Sequence, residues 1–214
     1  MLKAILFDRD GTLLESTEAN KYFCWDVLGL AGYKNIPEEK IAQSNHLAFW
    51  DRIKFLTKET DEEKVRQIWN LKEKVRYRRE LLGLAKDEVK ILKQLSKKYL
   101  LSVVTNATRS GIQGFYEVSG LENNFTEGVS ADDVTNPKPD PEPLLIALQK
   151  LNLEPKEAIY VGDSSVDLEA SKAAGMKFIN LNVFNKEKVE GADFYAGTFR
   201  ELEEIIITIT TKFS

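Results

Sequence analysis

Four short apolar runs, at residues 2–7, 100–105, 158–162 and 177–181, constrain this 214-residue chain more than any other feature. Each has the length of a buried strand, and each of the last three lies close to a stretch with apolar residues at three- and four-residue spacing. Val89, Leu92 and Leu95 lead into the second run, and Leu144, Leu145, Leu148 and Leu151 lead into the third. Strand and helix alternating in this way predict an α/β fold: a doubly wound, mostly parallel, Rossmann-like sheet with helices on both faces. Asp140-Pro141 predicts a helix start ahead of Leu144. Ser165 is expected to cap a helix carrying Leu168, Ala170 and Ala173, which Gly175 ends. Thr198 is expected to cap one through Leu202 and Ile205, while the β-branched Ile-Thr-Ile-Thr-Thr tail beyond is strand-like in composition and leaves that ending open.

Residues 15–84 break the pattern. They hold Trp25, Trp50 and Trp69, all the tryptophans of the chain, and little β-branched alternation. Ala19, Tyr22, Phe23 and Val27 fit one helical stripe, and Val65, Ile68, Trp69 and Lys72 another, with breaks at 32–37 and 57–61. The stretch is too long for an ordinary crossover between strands. An inserted α-helical cap is the simplest account, giving a core domain at 1–14 and 85–214 and a cap domain at 15–84.

Thirty basic and 34 acidic residues leave a net charge of −4, so no broad basic surface calls for nucleic acid or an anionic membrane. Cys24 is the only cysteine, which excludes an internal disulfide and a cysteine-rich zinc site. The apolar N-terminal stretch is short for a secretory signal and no run has membrane-spanning length, so a cytoplasmic location is expected, as monomer or homodimer.

Chemistry-bearing residues gather at the ends of the runs. Asp8-Arg9-Asp10-Gly11-Thr12 follows the first, where ligands of open α/β sheets bind. In an extended chain Asp8 and Asp10 face one site while Arg9 faces elsewhere, and Gly11 permits a sharp turn. Thr105 and Asn106 end the second run and can donate to phosphate oxygens, or cap a helix. Lys138 lies between Pro137 and Pro139, either as a fixed positive charge or in a rigid surface loop. Asp163 and Asp167 follow the third run across a helix start, where they suit magnesium or simply favour the helix N-terminus.

In this order the chain resembles the haloacid dehalogenase superfamily, in the branch that includes phosphoglycolate phosphatase and β-phosphoglucomutase. Asp8-x-Asp10-Gly-Thr, a strand ending in Thr105, Lys138 and Gly-Asp163-x-x-x-Asp167 are similar to its four motifs, and 15–84 to its helical cap. The resemblance implies an enzyme, a phosphoric monoester hydrolase. Asp8 would be the nucleophile and Asp10 the general acid and base. Mg2+ would be held by Asp8, the Asp10 carbonyl and Asp163, with Asp167 acting directly or through an intervening group. Thr105, Asn106 and Lys138 would bind the phosphoryl group of a small phosphorylated metabolite such as phosphoglycolate, a sugar phosphate or a nucleotide. Dehalogenating relatives lack the second acid, because an alkyl ester intermediate needs no leaving-group proton, so Asp10 favours phosphoryl transfer.

Arg9 departs from the usually apolar position in this branch, and residues 83–86 lack its usual Pro-Gly turn. The alternatives are a phosphomutase, against which Thr17 and Asn20 stand where a threonine and histidine pairing is expected, and a slow phosphate-sensing or partner-binding protein. Arg76, Arg78 and Arg79 are expected on an exposed helix face or on an acidic substrate. His46 is expected in a surface or buried role, the tryptophans in the cap core, and Asp132-Asp133 in a turn or helix entry rather than as metal ligands.

Overall fold

The computed structural model describes residues 1–45, 47–185 and 188–212. In chain order these give β1 (Ala4–Phe7), α1 (Thr17–Leu30), α2 (Glu38–Gln43), α3 (Phe49–Thr57), α4 (Glu62–Asn70), α5 (Glu88–Leu95), β2 (Leu100–Val103), α6 (Arg109–Ser119), α7 (Glu142–Leu151), β3 (Ala158–Gly162), α8 (Ser165–Ala173), β4 (Lys177–Leu181), β5 (Phe194–Ala196) and α9 (Phe199–Lys212). The chain forms two compact units, Met1–Glu15 with Gly83–Ser214, and Ser16–Leu82.

In the first unit the strands form one parallel sheet in the order β2-β1-β3-β4-β5. Its strands are apolar without alternation because both faces are covered. Ala4, Leu6, Ala158, Tyr160 and Phe178 pack with Leu144, Ala147 and Leu148 of α7 and with Leu168 and Ala170 of α8. The intervening Ile5, Phe7, Ile159, Val161 and Ile179 are buried as well, and α9 packs against α5, β4 and β5. Each large side chain so enclosed contributes about 1.5–3 kcal/mol relative to exposure. The order of connection reverses between β1 and β3, which opens a crevice beyond their carboxyl ends. Register fixes what stands there: Phe7 lies beside Val161, and the Asp8 N–H donates to the Val161 carbonyl at 2.8 Å. Asp8 and the Gly162-Asp163 pair therefore leave the sheet together.

Several element ends differ from expectation. The cap of α8 is Ser164, not Ser165: its side chain accepts from the Asp167 N–H while Asp167 accepts from the Ser164 N–H, a reciprocal box that needs a serine three residues before the acid. Thr105 and Asn106 cap no helix, since α6 begins at Arg109, whose N–H donates to Asp132. Asp140 accepts from the Glu142 N–H at 2.9 Å, and α7 starts there. The Ile-Thr-Ile-Thr-Thr tail is helical, because Leu202, Ile206 and Ile209 bury one helical stripe and the threonine hydroxyls donate back along the helix to carbonyls three and four residues earlier. Strand β5 was not expected; three residues of mixed burial carry too little pattern, and pairing with β4 makes it a strand.

The second unit is helical. Cys24, Val27, Leu28, Ile41, Ile53, Leu56, Val65 and Ile68 form its core, with Trp25, Trp50 and Trp69 packed against it. The Trp25 indole donates to the Ile36 carbonyl at 2.9 Å, and Asp61 caps α4. Arg76, Arg78 and Arg79 do not lie on an α-helical face. The chain leaves α4 through a 3₁₀ turn, Leu71–Lys74, and becomes extended at Val75. Arg78 pairs with Asp26 at 2.9 Å and stands 4.2 Å from the Tyr22 ring centre, and Arg76 pairs with Glu80. Among the described residues, no helix is long and apolar enough to cross a membrane.

Candidate active site

Beyond β1 the chain turns back at once. The Arg9 carbonyl accepts from the Leu13 and Leu14 N–H groups, and Gly11, at φ +80°, donates to the Leu14 carbonyl. This turn corrects the extended geometry expected for Asp8-Arg9-Asp10. The Arg9 side chain does not face elsewhere; its Nη1 donates to both Asp10 carboxylate oxygens at 2.8 Å.

Lys138 is the centre of the site. All three hydrogens of its buried ammonium have acceptors: Asp8 Oδ1 at 2.7 Å, the Tyr160 hydroxyl at 2.7 Å and Asp167 Oδ1 at 2.6 Å. Its main chain is held by the Asn106 amide, which donates to the Lys138 carbonyl and accepts from its N–H, both at 2.9 Å. Asn106, expected to meet substrate, thus spends two of its hydrogen-bonding positions on the lysine loop. The Thr105 hydroxyl accepts from the Ala107 N–H at 3.1 Å, and the residue is buried, its own N–H donating to the Val129 carbonyl at 3.0 Å.

Asp167 is fully occupied by neighbours. Its Oδ1 meets Lys138 and Tyr160, and its Oδ2 accepts from the Asp163 and Ser164 N–H groups and from the Ser164 hydroxyl. Asp163 accepts from the Thr12 hydroxyl at 3.3 Å and the Asn185 amide at 2.6 Å. Tyr160, Asn185 and Ser164 were not singled out from sequence, and Thr12 was named only as the last residue of the first motif, with no role given to it. Tyr160 left a signal, a lone hydroxyl inside an apolar strand, and Ser164 left the capping-box spacing. Asn185 left none.

The electrostatics follow from three acids around one ammonium. Burial pushes the Asp8 carboxyl up to about 7; Lys138 opposes this, and the charges of Asp167 and Asp10 add to it. Asp163 is raised well above the usual carboxylate range by burial, then by Asp167 and Asp8. Burial pulls Lys138 down, but Asp167 and Asp8 outweigh it and hold the ammonium above the ordinary lysine value. Oxygens of Asp8, Asp163 and Asp167 lie within 4.8 Å of one another. A hard divalent cation suits this donor set, since it offers the charge that one lysine leaves uncompensated. The Asp10 carboxylate is not part of that group, so a contribution from Asp10 would come through its main-chain carbonyl. His46 lies outside the described residues. Asp133 accepts from Ser130 and Arg109 and Asp132 caps α6, so that acid pair serves a turn.

The family model of haloacid dehalogenase-like hydrolases matches residues 5–181. A pyrophosphatase PpaX of Bacillus velezensis is 43% identical over a segment that spans 37% of this chain and 37% of that one. An N-acetylmuramic acid 6-phosphate phosphatase of Pseudomonas putida is 30% identical over 82% of this chain and 81% of its own. The crystal structure of a haloacid dehalogenase-superfamily hydrolase, subfamily IA, variant 1, from Geobacter sulfurreducens superposes with a TM-score of 0.75 at 27% identity, covering 96% of this chain and all of that one.

Proposed function

Because the chain belongs to the haloacid dehalogenase-like hydrolase family, we propose that it is a magnesium-dependent phosphatase of a small phosphomonoester, working through an aspartyl-phosphate on Asp8. The observation that carries this reading is the Asp8 carboxylate at the β1/β3 crevice, tied to Lys138 at 2.7 Å and grouped with Asp163. A protein that only bound its ligand would have no use for a nucleophile and a second acid in one turn.

In the first step an Asp8 oxygen attacks phosphorus, the bond to the leaving oxygen breaks, and Asp10 gives that oxygen its proton. In the second, water attacks phosphorus, Asp10 takes a proton from it, and the bond to Asp8 breaks to restore the carboxylate. The proton inventory closes over the two steps. Magnesium, when bound, supplies positive charge to the phosphoryl oxygens and to Asp8. Asp8, Asp163 and the Asp10 carbonyl would hold it, with Asp167 acting through Lys138 and the start of α8. Thr105 and main-chain amides at the strand ends would receive the phosphoryl oxygens. Lys138, its ammonium hydrogens already engaged, is assigned to hold and neutralise Asp8 before it is assigned to substrate.

Phosphoglycolate, sugar phosphates and nucleotides form the substrate class, and the pyrophosphatase match adds inorganic pyrophosphate to the compounds worth testing. The mutase alternative gains nothing from Asn20, which accepts from the Tyr77 hydroxyl at 2.6 Å and donates to Ser16 within the helical unit. The test is phosphate release from 4-nitrophenyl phosphate and a metabolite panel, with and without magnesium. Release should require magnesium and vanish in Asp8→Asn; well-folded protein that turns over none of them would refute the reading.

A further inference from the structure

Arg9 is the residue of the first motif to which the two-step reaction gives no task. Its side chain is 3% exposed, and Nη1 sits 2.8 Å from each oxygen of Asp10. The main chain beneath is locked too, since the Arg9 carbonyl accepts from Leu13 at 2.9 Å and Leu14 at 2.8 Å. On the other side stands α6, close enough that a β-carbon at Gly111 would lie 3.4 Å from Arg9 Cζ and Nη1, in ordinary van der Waals contact.

Resting on the phosphatase reading, we infer that Arg9 is a positioning residue that fixes the orientation of the Asp10 carboxylate for proton transfer at the leaving oxygen. A free aspartate turns about two side-chain bonds, whereas proton transfer requires a donor held within hydrogen-bond reach of its target. Contact from one nitrogen takes a single acceptor site on each oxygen, out of the roughly four that a carboxylate offers. That contact fixes where the carboxylate points, and Arg9 can keep donating to one oxygen when the other carries the proton. An apolar side chain at position 9 would leave that direction unset. The arrangement matters most for leaving groups that cannot depart without a proton.

The test compares phenyl phosphate, whose phenol has a pKa of about 10 like that of tyrosine, with 4-nitrophenyl phosphate, whose leaving group is far more acidic. In Arg9→Met, kcat/KM, which reports the step that expels the leaving group, should fall at least about tenfold further on phenyl phosphate than on 4-nitrophenyl phosphate. A purely structural role would lower both by one factor, and an equal fall, or no fall on either, overturns the inference. Should Arg9→Met fail to fold, Arg9→Gln keeps a polar side chain but cannot hold both Asp10 oxygens as the guanidinium does, and should show the same selectivity; an even effect on both substrates again overturns the inference. Well-folded wild-type protein that releases phosphate with magnesium from neither of these nor any compound of the metabolite panel would overturn the phosphatase reading and this inference with it, an outcome visible without any variant.

Discussion

A β-carbon placed on Gly11 would fall 2.2 Å from Oδ2 of Asp163 and 2.7 Å from its Cγ. The first motif and the last, some 150 residues apart, are in van der Waals contact only because one of them has no side chain there. The same holds for Gly162, whose β-carbon would lie 2.6 Å from that of Asp167. Two glycines thus set how closely the acids approach Asp8.

Gly11→Ala combines this clash with a positive φ that a side chain rarely adopts. It should cost about 1–3 kcal/mol of stability and displace Asp163. Turnover should then fall by about a hundredfold or more, as for a misplaced positioning group. Denaturant melts and kcat measured side by side check this; wild-type activity in a folded variant would contradict it.

Lys138→Met leaves Asp8 and Asp167 buried without their shared counter-charge. Breaking one buried pair costs about 3–5 kcal/mol, so this variant should be among the least stable single substitutions. Adding Asp167→Asn should recover part of the loss, since the two changes touch one network and do not add. Tyr160→Phe removes one of the three acceptors and should cost about 1–2 kcal/mol. Urea denaturation of the four proteins gives the comparison.

Magnesium binding to the folded chain alone should raise its stability, by about 2.7 kcal/mol at a hundredfold excess over Kd. Asp163→Asn should abolish the rise in Tm. Asp10→Asn should keep most of it while losing turnover, because the main-chain carbonyl survives the substitution. A full Tm shift in Asp163→Asn would remove that residue from the metal site.

Glu88, at the start of α5, is fully buried; its Oε2 accepts from the Ala85 N–H at 2.8 Å and, among the described residues, its Oε1 has no hydrogen-bond partner. Burial pushes its carboxyl up to about 8, with the Ala85 N–H opposing. The folded value thus exceeds the unfolded one, near 4.3. The native state binds more protons between them, so the stability Glu88 contributes is fully present below the unfolded value and is lost as pH rises through the folded one. Glu88→Gln should flatten this dependence, narrowing or reversing any deficit against wild type between about pH 5 and about pH 8.5. Parallel slopes in urea melts at the two values would refute it.

Much of the fold was legible in the letters. The runs at 158–162 and 177–181 are β3 and β4 to the residue, and those at 2–7 and 100–105 overrun β1 and β2 by two residues. Burial on both faces writes itself into every position of such a strand. β5 and the tail of α9 were not legible. Three residues make no period, and β-branched threonines and isoleucines become helical only when one stripe finds a core to enter.

The candidate site divides the same way. Sequence by itself determined which residue types stand near the carboxyl ends of the strands: Asp8, Asp10, Thr105, Asp163 and Asp167 fall where apolar runs stop, and Lys138 in a proline-flanked loop just before a helix. That is a local property of pattern. Only the tertiary structure decided how they are partnered: that Lys138, 130 positions from Asp8, spends its hydrogens on Asp8, Asp167 and Tyr160, that Asn106 grips the lysine loop, and that Arg9 turns onto Asp10. A hydrogen bond is a matter of tenths of an ångström and of angle. Chain spacing cannot carry that information between segments so far apart; strand register and the turns that follow it do.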